Sequence, residues 1–535
     1  MTKMVLKVLF IYSFFLFSCD FIKTKKKPVA RDITITAITS FNELFFDSLD
    51  VHTFLANHPE LSSFAMQYND FYNSRNFEFA WFDSTGLSEQ AHNFFNLQNN
   101  HINNLNDSSI YNSQLHQLYD SLNGKKVTLL NNSALLIRTE LLLTGQFFTY
   151  AAKVYKGSDI DAAELGWYIP RKKINLTALL DSVIDNNVKD PDQYIQQNVQ
   201  YKRLEKFLIK TIELEKNETS DTIAFVKKSI KLGDSSETII AIKQRLNLLQ
   251  DDILLGNTFL YDTTMLRSVK RFQQRHGLTI DGAIGNLMIS ELNMPLKVRV
   301  QQILVNMERI RWMPPQNDKN YVLVNIPEFK LHVFDSGKQV FEMRVIVGSA
   351  ANNTVIFNGN LKYIVFSPYW NVPESIVRKE IMPAMKRNKN YISKHNMEIT
   401  SYSGSLPNIR QKPGPANSLG LVKFLFPNNY SIYLHDTPNR NLFGQSGRGL
   451  SHGCIRIAEP TKFAQYLLRD DSMVWNKNKI DSSMHSGKEK WVTLKQSVPV
   501  FLVYFTAWVD KEGVLNFRKD IYGHDKKMVD KLFNK

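Results

Sequence analysis

Cysteine is almost missing from this chain of 535 residues: it occurs only at Cys19 and Cys454. A disulfide-built scaffold is therefore excluded, and beyond the N-terminal leader a single thiol is left, of the kind retained where its chemistry is needed. Long apolar runs are scarce too. The N-terminal one, Val8 to Phe17, is too short to cross a bilayer comfortably. No dense basic and aromatic cluster of the nucleic-acid-binding kind stands out beyond Lys23 to Lys27, so nucleic acid is not an expected partner. Glycine is sparse between Phe41 and about Ile230, which suits helices rather than turn-rich β structure.

What is present is basic and globular in composition, with 66 Lys and Arg against 51 Asp and Glu and a formal charge of +15. That balance suits an anionic partner such as carboxylate-rich cell wall or phospholipid, or is simply the background of a basic envelope protein. The length calls for two or three domains. Lys3 and Lys7 before the apolar run give residues 1–19 the plan of a secretory signal. Its end, Leu16-Phe17-Ser18-Cys19, resembles a bacterial lipobox, although Phe17 is bulkier than usual; an ordinary cleaved signal is the alternative. Cys19 is then the lipidation site, residues 20–40 a polar linker, and the expected location the periplasmic side of the envelope as a membrane-anchored lipoprotein.

Residues 41–230 read as a helical scaffold, with Ala134 to Val154 carrying apolar residues at mixed three and four spacing and an aromatic-dense stretch at 71–81. Residues 234–295 form a compact unit. Ile239, Ile242, Leu246 and Leu249 share one helix face, Met265, Val269 and Phe272 another, with Gly277 ending the second helix and Gly285 opening a third. From Tyr321 the period becomes that of strands, at Tyr321-Val-Leu-Val-Asn-Ile, Lys330-Leu-His-Val-Phe, 341–347 and 361–366, and later at 430–434 and 498–509. A Lys-rich interruption, helical from Glu374 to about His395 and part of an insertion of residues 374–410, reads as a helical lid over the β-rich domain of residues 320–510, and 511–535 as a C-terminal extension.

The chemistry gathers near position 450. The segment His435-Asp436-Thr437 follows a strand on which Ser431, Tyr433 and His435 share a face. After a loop containing Gly444, Gly447 and Gly449 comes Ser451-His452-Gly453-Cys454-Ile455-Arg456. The three glycines let the loop fold back and bring Cys454 to the strand end. An amide-cleaving cysteine needs a thiolate, an imidazole to move its proton and donors for a tetrahedral oxyanion. Cys454, His435 and the backbone N–H groups of Gly453 and Cys454 fill those places, and a neighbouring imidazolium should depress the thiol pKa. On spacing alone, a buried structural thiol and an ordinary surface histidine remain the alternative to a catalytic pair. A metal is not expected, because His435, His452 and Cys454 lack a fourth ligand at zinc-type spacing; nor is any cofactor.

The Ser451-to-Arg456 string, preceded by His435-Asp436-Thr437, resembles the signature of the L,D-transpeptidase family. Phrases at 306–312, 368–373 and 413–420 are similar to its large multidomain branch, and 269–285 to the three-helix peptidoglycan-binding module, with Met288 standing where that module usually has threonine. The resemblance implies a multidomain α+β protein: a helical N-terminal scaffold, a peptidoglycan-binding-like module and a β-rich catalytic domain with a helical lid insertion. It implies peptidoglycan stem peptides as partners, a thioester on Cys454 with release of D-Ala and formation of 3→3 crosslinks, and inhibition by a β-lactam of the carbapenem type. An L,D-carboxypeptidase or endopeptidase, or a wall-binding scaffold without activity, is the alternative. By motif position His435 is the base, while Ser451, His452, Gly453 and Asp436 support the loop. Arg456 braces that loop or meets substrate carboxylate, and Tyr433, Asn417 and Gly420 are placed at the pocket wall.

Overall fold

The computed structural model describes residues 30–34, 44–83, 85–105, 107–123, 133–185, 198–218, 221–249, 256–314 and 319–533. The leader and Cys19 lie outside them. The described residues fall into two compact units, one within Met1–Phe95, Asn112–Phe148 and Leu180–Lys189, the other within Asn96–Tyr111, Thr149–Leu179 and Asp190–Lys535. The helical stretch 41–230 is therefore not one body, as the sequence suggested. Its segments are shared between two cores.

The first unit contains α1 (Ser48–Asn57), α2 (Ala65–Ser74), a short hairpin of β1 (Phe82–Asp83) and β2 (Gly86–Leu87), the start of α3 (Glu89–Leu105), α4 (Ser113–Leu122), most of α5 (Ser133–Ala151) and the end of α6 (Leu176–Asp185). The aromatic stretch is its centre. Tyr68, Phe71, Tyr72 and Trp81 are all buried, and the chain reverses after α2 through Asn76 and Phe77, both at positive φ. A single buried carboxylate on α5 holds this turn: Glu140 Oε1 accepts from Ala80 N at 2.7 Å and the Tyr72 hydroxyl at 2.9 Å, and Oε2 from Trp81 N at 3.0 Å.

In the second unit, α7 (Val199–Glu215) is followed by the three helices of the compact module, α8 (Glu237–Leu248), α9 (Thr263–Arg275) and α10 (Asn286–Leu292). The predicted faces meet: Ile239, Ile242, Leu246, Met265, Val269 and Phe272 share one core with Met288, whose side chain is buried where the family pattern has a small polar residue. Asp262 caps α9 by accepting from Met265 N at 2.8 Å, and Gly277 ends it at φ +66°. The module begins earlier than residue 234, since Ile223 and Ile230 join its core and Ile230 exchanges both backbone hydrogen bonds with Ile284.

Helix α11 (Leu296–Trp312) leads into β3 (Tyr321–Asn325), β4 (Lys330–Asp335), β5 (Lys338–Gly348) and β6 (Asn358–Phe366). These join β10 (Val422–Leu425), β11 (Leu434–His435), β12 (Gly449–Ser451), β13 (Ile455–Ile457) and β14 (Lys490–Val503) in a nine-stranded sheet ordered β12-β5-β13-β11-β10-β6-β14-β3-β4. Because β4 also pairs with β5, the sheet closes on itself and only β12 hangs outside the ring. Val322, Val324, Leu331, Val333, Val345 and Val347 alternate into its core, the period-2 pattern of the sequence.

The insertion at 374–410 is helical in its first part, as expected, but continues as strands. It holds short helices α12 (Glu374–Ile376), α13 (Met382–Arg387) and α14 (Tyr391–Lys394), with a π-helical turn at Val377–Ile381. Beside them β7 (Trp370–Asn371), β8 (Met397–Ser403) and β9 (Leu406–Gln411) form a separate three-stranded sheet. Val372, Val377, Ile381, Leu406 and Ile409 give it a core of its own, against which Trp370 packs. Helices α15 (Pro460–Leu467) and α16 (Lys477–Met484) cover the closed sheet, and the hairpin of β15 (Ala507–Val509) and β16 (Leu515–Phe517) precedes α17 (His524–Phe533). The segment 511–535 is not an extension. Met528 enters the main core, and Asp525 takes an ion pair from Arg309 of α11 at 2.5 Å.

Candidate active site

Strand register assembles the site. β11 and β13 run parallel with Leu434 opposite Ile455 and His435 opposite Arg456. Alternation then turns Leu434, Ile455 and Ile457 into the core and leaves Tyr433, His435, Cys454 and Arg456 on the other face. The strand before His435 is shorter than the sequence implied. Ser431 is at φ +55° outside it, so it does not share the face; instead its carbonyl lies 3.5 Å from Cys454 Sγ and accepts from the thiol. Tyr433 completes the surroundings of the sulfur, hydrogen-bonding to it through backbone and side chain.

His435 is buried, and its Nδ1 donates to the Asp436 carbonyl oxygen at 2.5 Å, which leaves Nε2 as the acceptor nitrogen. Burial first, and then the nearby Arg456 cation, hold the imidazole down to about 3. Burial also pushes the Cys454 thiol up, against the smaller lowering influence of Tyr433 and Arg456. The resting pair is therefore a neutral thiol and a neutral imidazole, the reverse of the depressed thiol expected from the sequence. In this state the sulfur's hydrogen bonds run to Ser431 and Tyr433 rather than to His435.

The cysteine loop is held from both ends. β12 pairs in parallel with β5, Ser451 opposite Gly348, and Ser349 N donates to Ser451 O at 2.9 Å. Ser451 Oγ donates to Cys454 O at 2.6 Å and accepts from Gly453 N at 3.1 Å. That bond removes the Gly453 N–H from the proposed oxyanion donors. The Cys454 N–H makes no hydrogen bond among the described residues and stays available. Gly453 sits at φ +115°, a conformation that requires glycine. The preceding loop is folded back by Arg448, not by its glycines: its guanidinium donates to Val345 O at 3.1 Å, Phe329 O at 3.0 Å and Gln445 O at 2.7 Å.

Several other expected site residues have different duties. His452 pairs with the insertion: its Nε2 lies 2.9 Å from Glu380 Oε1 in the π-helical turn. Asp436 is buried; its Oδ2 accepts from Leu421 N at 2.9 Å and its Oδ1 pairs with Arg440 at 2.7 Å. Gly420, at φ +63°, lies so close to Asp436 that a Cβ would stand 2.5 Å from that carboxylate, so it is a tight-packing position and not a pocket wall. Asn417 is likewise a buried clip, donating to Lys412 O at 2.9 Å and Pro368 O at 3.1 Å and accepting from Leu419 N at 2.8 Å. Arg456 is the opposite case. Its Nε is buried with no hydrogen-bond partner while its chain runs beside His435.

Residues missed by the sequence reading are Thr354 and Tyr522. Thr354 Oγ1 donates to Gly453 O at 2.7 Å and accepts from Gly348 N at 2.9 Å, and the Tyr522 hydroxyl donates to Gly348 O at 2.6 Å. No local pattern marks either one.

Comparison with known proteins places residues 319–477 in the L,D-transpeptidase catalytic domain family and matches residues 67–208 to a scaffold domain. A Haemophilus influenzae protein described as "Putative L,D-transpeptidase" is 33% identical over 244 residues, covering 43% of this chain and 49% of the relative. The match thus spans about half the length of that relative. An L,D-transpeptidase structure from Stackebrandtia nassauensis aligns at 14% identity over 53% of this chain and 96% of that one, with a TM-score of 0.21. One from Xylanimonas cellulosilytica, residues 123–326, aligns at 13% over 52% and 100%, with a TM-score of 0.16. The protein is a mixed one, a helical N-terminal region followed by a β-rich domain of the L,D-transpeptidase type.

Proposed function

We propose that the L,D-transpeptidase catalytic domain of residues 319–477 performs a two-step acyl transfer on peptidoglycan stem peptides, with Cys454 as nucleophile and His435 as base. The observation that supports this reading is the shared face of β11 and β13, which carries both a buried imidazole of fixed tautomer and the free thiol found among the described residues. In the first step the Cys454 proton passes to His435 Nε2, the sulfur bonds to the carbonyl carbon of the third stem residue, and the bond to the terminal D-Ala breaks. His435 returns the proton to the departing amine. In the second step the side-chain amine of another stem peptide displaces the sulfur, giving a 3→3 crosslink and restoring the thiol.

Arg456 fits the carboxylate of the leaving D-Ala, because its orphan Nε gains a partner there. An arriving carboxylate also offsets the Arg456 charge that helps hold His435 down, so substrate makes the base stronger when it is needed. The insertion bears exposed Lys379, Lys386, Arg387 and Lys389, which attract an acidic stem peptide, and its Glu380 contact with His452 brings it to the cysteine loop. Covering the thioester keeps water out and favours transfer over hydrolysis. The same thiol is the site at which a carbapenem-type β-lactam would acylate.

Incubation with purified muropeptides followed by mass analysis tests the reading. A crosslinked dimer lighter by one D-Ala is expected; a trimmed monomer alone would mean a carboxypeptidase, and no product would mean a scaffold. A folded variant lacking 374–410 should shift the products toward hydrolysis, and an unchanged ratio would remove the insertion from the mechanism.

We also propose that Cys19 is lipidated and tethers the chain on the periplasmic side, supported by the Lys3 and Lys7 leader and the Lys23-to-Lys27 linker. Cys19→Ala should then release the protein from membranes. Continued sedimentation after a high-salt wash would disprove the anchor.

A further inference from the structure

We infer that Thr354 is a positioning residue that aims the Cys454 N–H at the oxyanion, with Tyr522 bracing it from the C-terminal segment. The starting point is the peptide unit between Gly453 and Cys454. A trans peptide is planar, and its C=O and N–H point in opposite directions, so whatever holds the Gly453 carbonyl also sets the direction of the Cys454 N–H. Thr354 Oγ1 donates to that carbonyl at 2.7 Å from a fully buried position. At φ +115°, Gly453 has a wider range of peptide orientations open to it than any other residue would, and the threonine hydroxyl selects one.

The hydroxyl is itself fixed. It accepts from Gly348 N at 2.9 Å, so its own proton is directed to Gly453 O. Gly348 ends β5 and is opposite Ser451 in the parallel pairing; a Cβ there would stand 2.0 Å from Asn352 O, so the turn that carries Thr354 back toward the loop is available only to glycine. The Tyr522 hydroxyl closes the arrangement, donating to Gly348 O at 2.6 Å and accepting from Thr354 N at 3.3 Å. Since Gly453 N–H is already given to Ser451 Oγ, the Cys454 N–H is the donor of this turn left for a developing oxyanion. Its direction matters accordingly.

The inference rests on Cys454 as nucleophile, and two reagents separate the questions. Acylation of the sulfur by a small activated ester such as p-nitrophenyl acetate passes through an oxyanion; alkylation by iodoacetamide does not. In the intact protein, Thr354→Val should slow ester acylation of Cys454 about 10- to 100-fold, somewhat less than outright loss of an oxyanion donor. Alkylation should stay within about twofold, and Thr354→Ser should restore acylation. Tyr522→Phe should show the same contrast at about 3- to 10-fold and serves if Thr354→Val does not fold. A parallel fall of both reactions would mean that Thr354 only supports the loop, and no fall in either, or no rescue by serine, would equally overturn the inference. If wild-type Cys454 accepts no acyl group, the nucleophile assignment fails and this inference falls with it; if it is acylated and Thr354→Val matches it, the positioning role alone is wrong.

Discussion

Cys454→Ala should abolish acyl transfer and leave no covalent adduct with ester or β-lactam, while His435→Ala should lower the acylation rate by about 10²- to 10⁴-fold, the usual share of a general base. The pH dependence gives the stricter test. With burial pushing the thiol up, alkylation of Cys454 should rise with pH through a midpoint above that of a free cysteine, about 8.5. His435 titrates at about 3, so it remains neutral and able to accept a proton throughout the neutral range, and no acidic limb from its protonation should appear near pH 6. Arg456→Gln should move the thiol midpoint further up and raise His435 as well, because the Arg456 cation lowers both. A midpoint below that of a free thiol would show a resting thiolate–imidazolium pair and overturn the neutral assignment.

That reversal of the thiol shows where sequence reading stops. Strand alternation singled out His435 and the Ser451-to-Arg456 string singled out Cys454, because both are local regularities, whereas the parallel pairing of β11 with β13 that puts them on one face was not legible. The three helices of the module were legible for the same reason, from apolar spacing and the punctuation of Gly277 and Gly285. The direction of a pKa shift depends instead on how deeply the group is covered: at Cys454 burial outweighs the Tyr433 hydrogen bonds and the Arg456 charge, and at His435 burial, reinforced by Arg456, outweighs the backbone hydrogen bonds.

Long-range hydrogen bonds were equally hidden. Thr354 and Tyr522 lie 99 and 174 residues from Gly453 and Gly348, the residues they hold, and neither belongs to a recognisable phrase. The loop before Cys454 looked flexible from its glycines, yet Arg448 folds it through contacts to β5 and Phe329. Asn417 and Gly420 looked like pocket residues because they sit in a distinctive phrase, whereas their side-chain and steric environments make them packing positions. The sheet in the insertion escaped notice because β8 is polar and mostly exposed, so it lacks the apolar alternation by which strands are read.

Glu140→Ala should destabilise the first unit by about 3–6 kcal/mol, a large part of the stability of an ordinary domain. The glutamate joins α5 to the turn after α2, and its loss strands the buried N–H groups of Ala80 and Trp81, each at a cost of about 1–3 kcal/mol. The Tyr72 hydroxyl keeps a partner in Thr144 Oγ1 at 2.6 Å and adds less. Burial raises the Glu140 carboxyl to about 7, against the lowering pull of Ala80 N–H, Trp81 N–H, the Tyr72 hydroxyl and Arg75. The folded state therefore holds this proton more tightly than the unfolded chain, whose carboxyl titrates near 4.5. Its contribution to stability is fully present below pH ~4.5 and is lost as pH rises through about 7, by about 3 kcal/mol in all. Amide hydrogen exchange at Ala80 and Trp81, converted to opening free energies, should show protection falling over that window in the wild type. Glu140→Gln, which cannot titrate, should be flat across it. Equal slopes in wild type and Glu140→Gln would show that another group carries the pH dependence, and unchanged protection in Glu140→Ala would show that the carboxylate does not hold the turn.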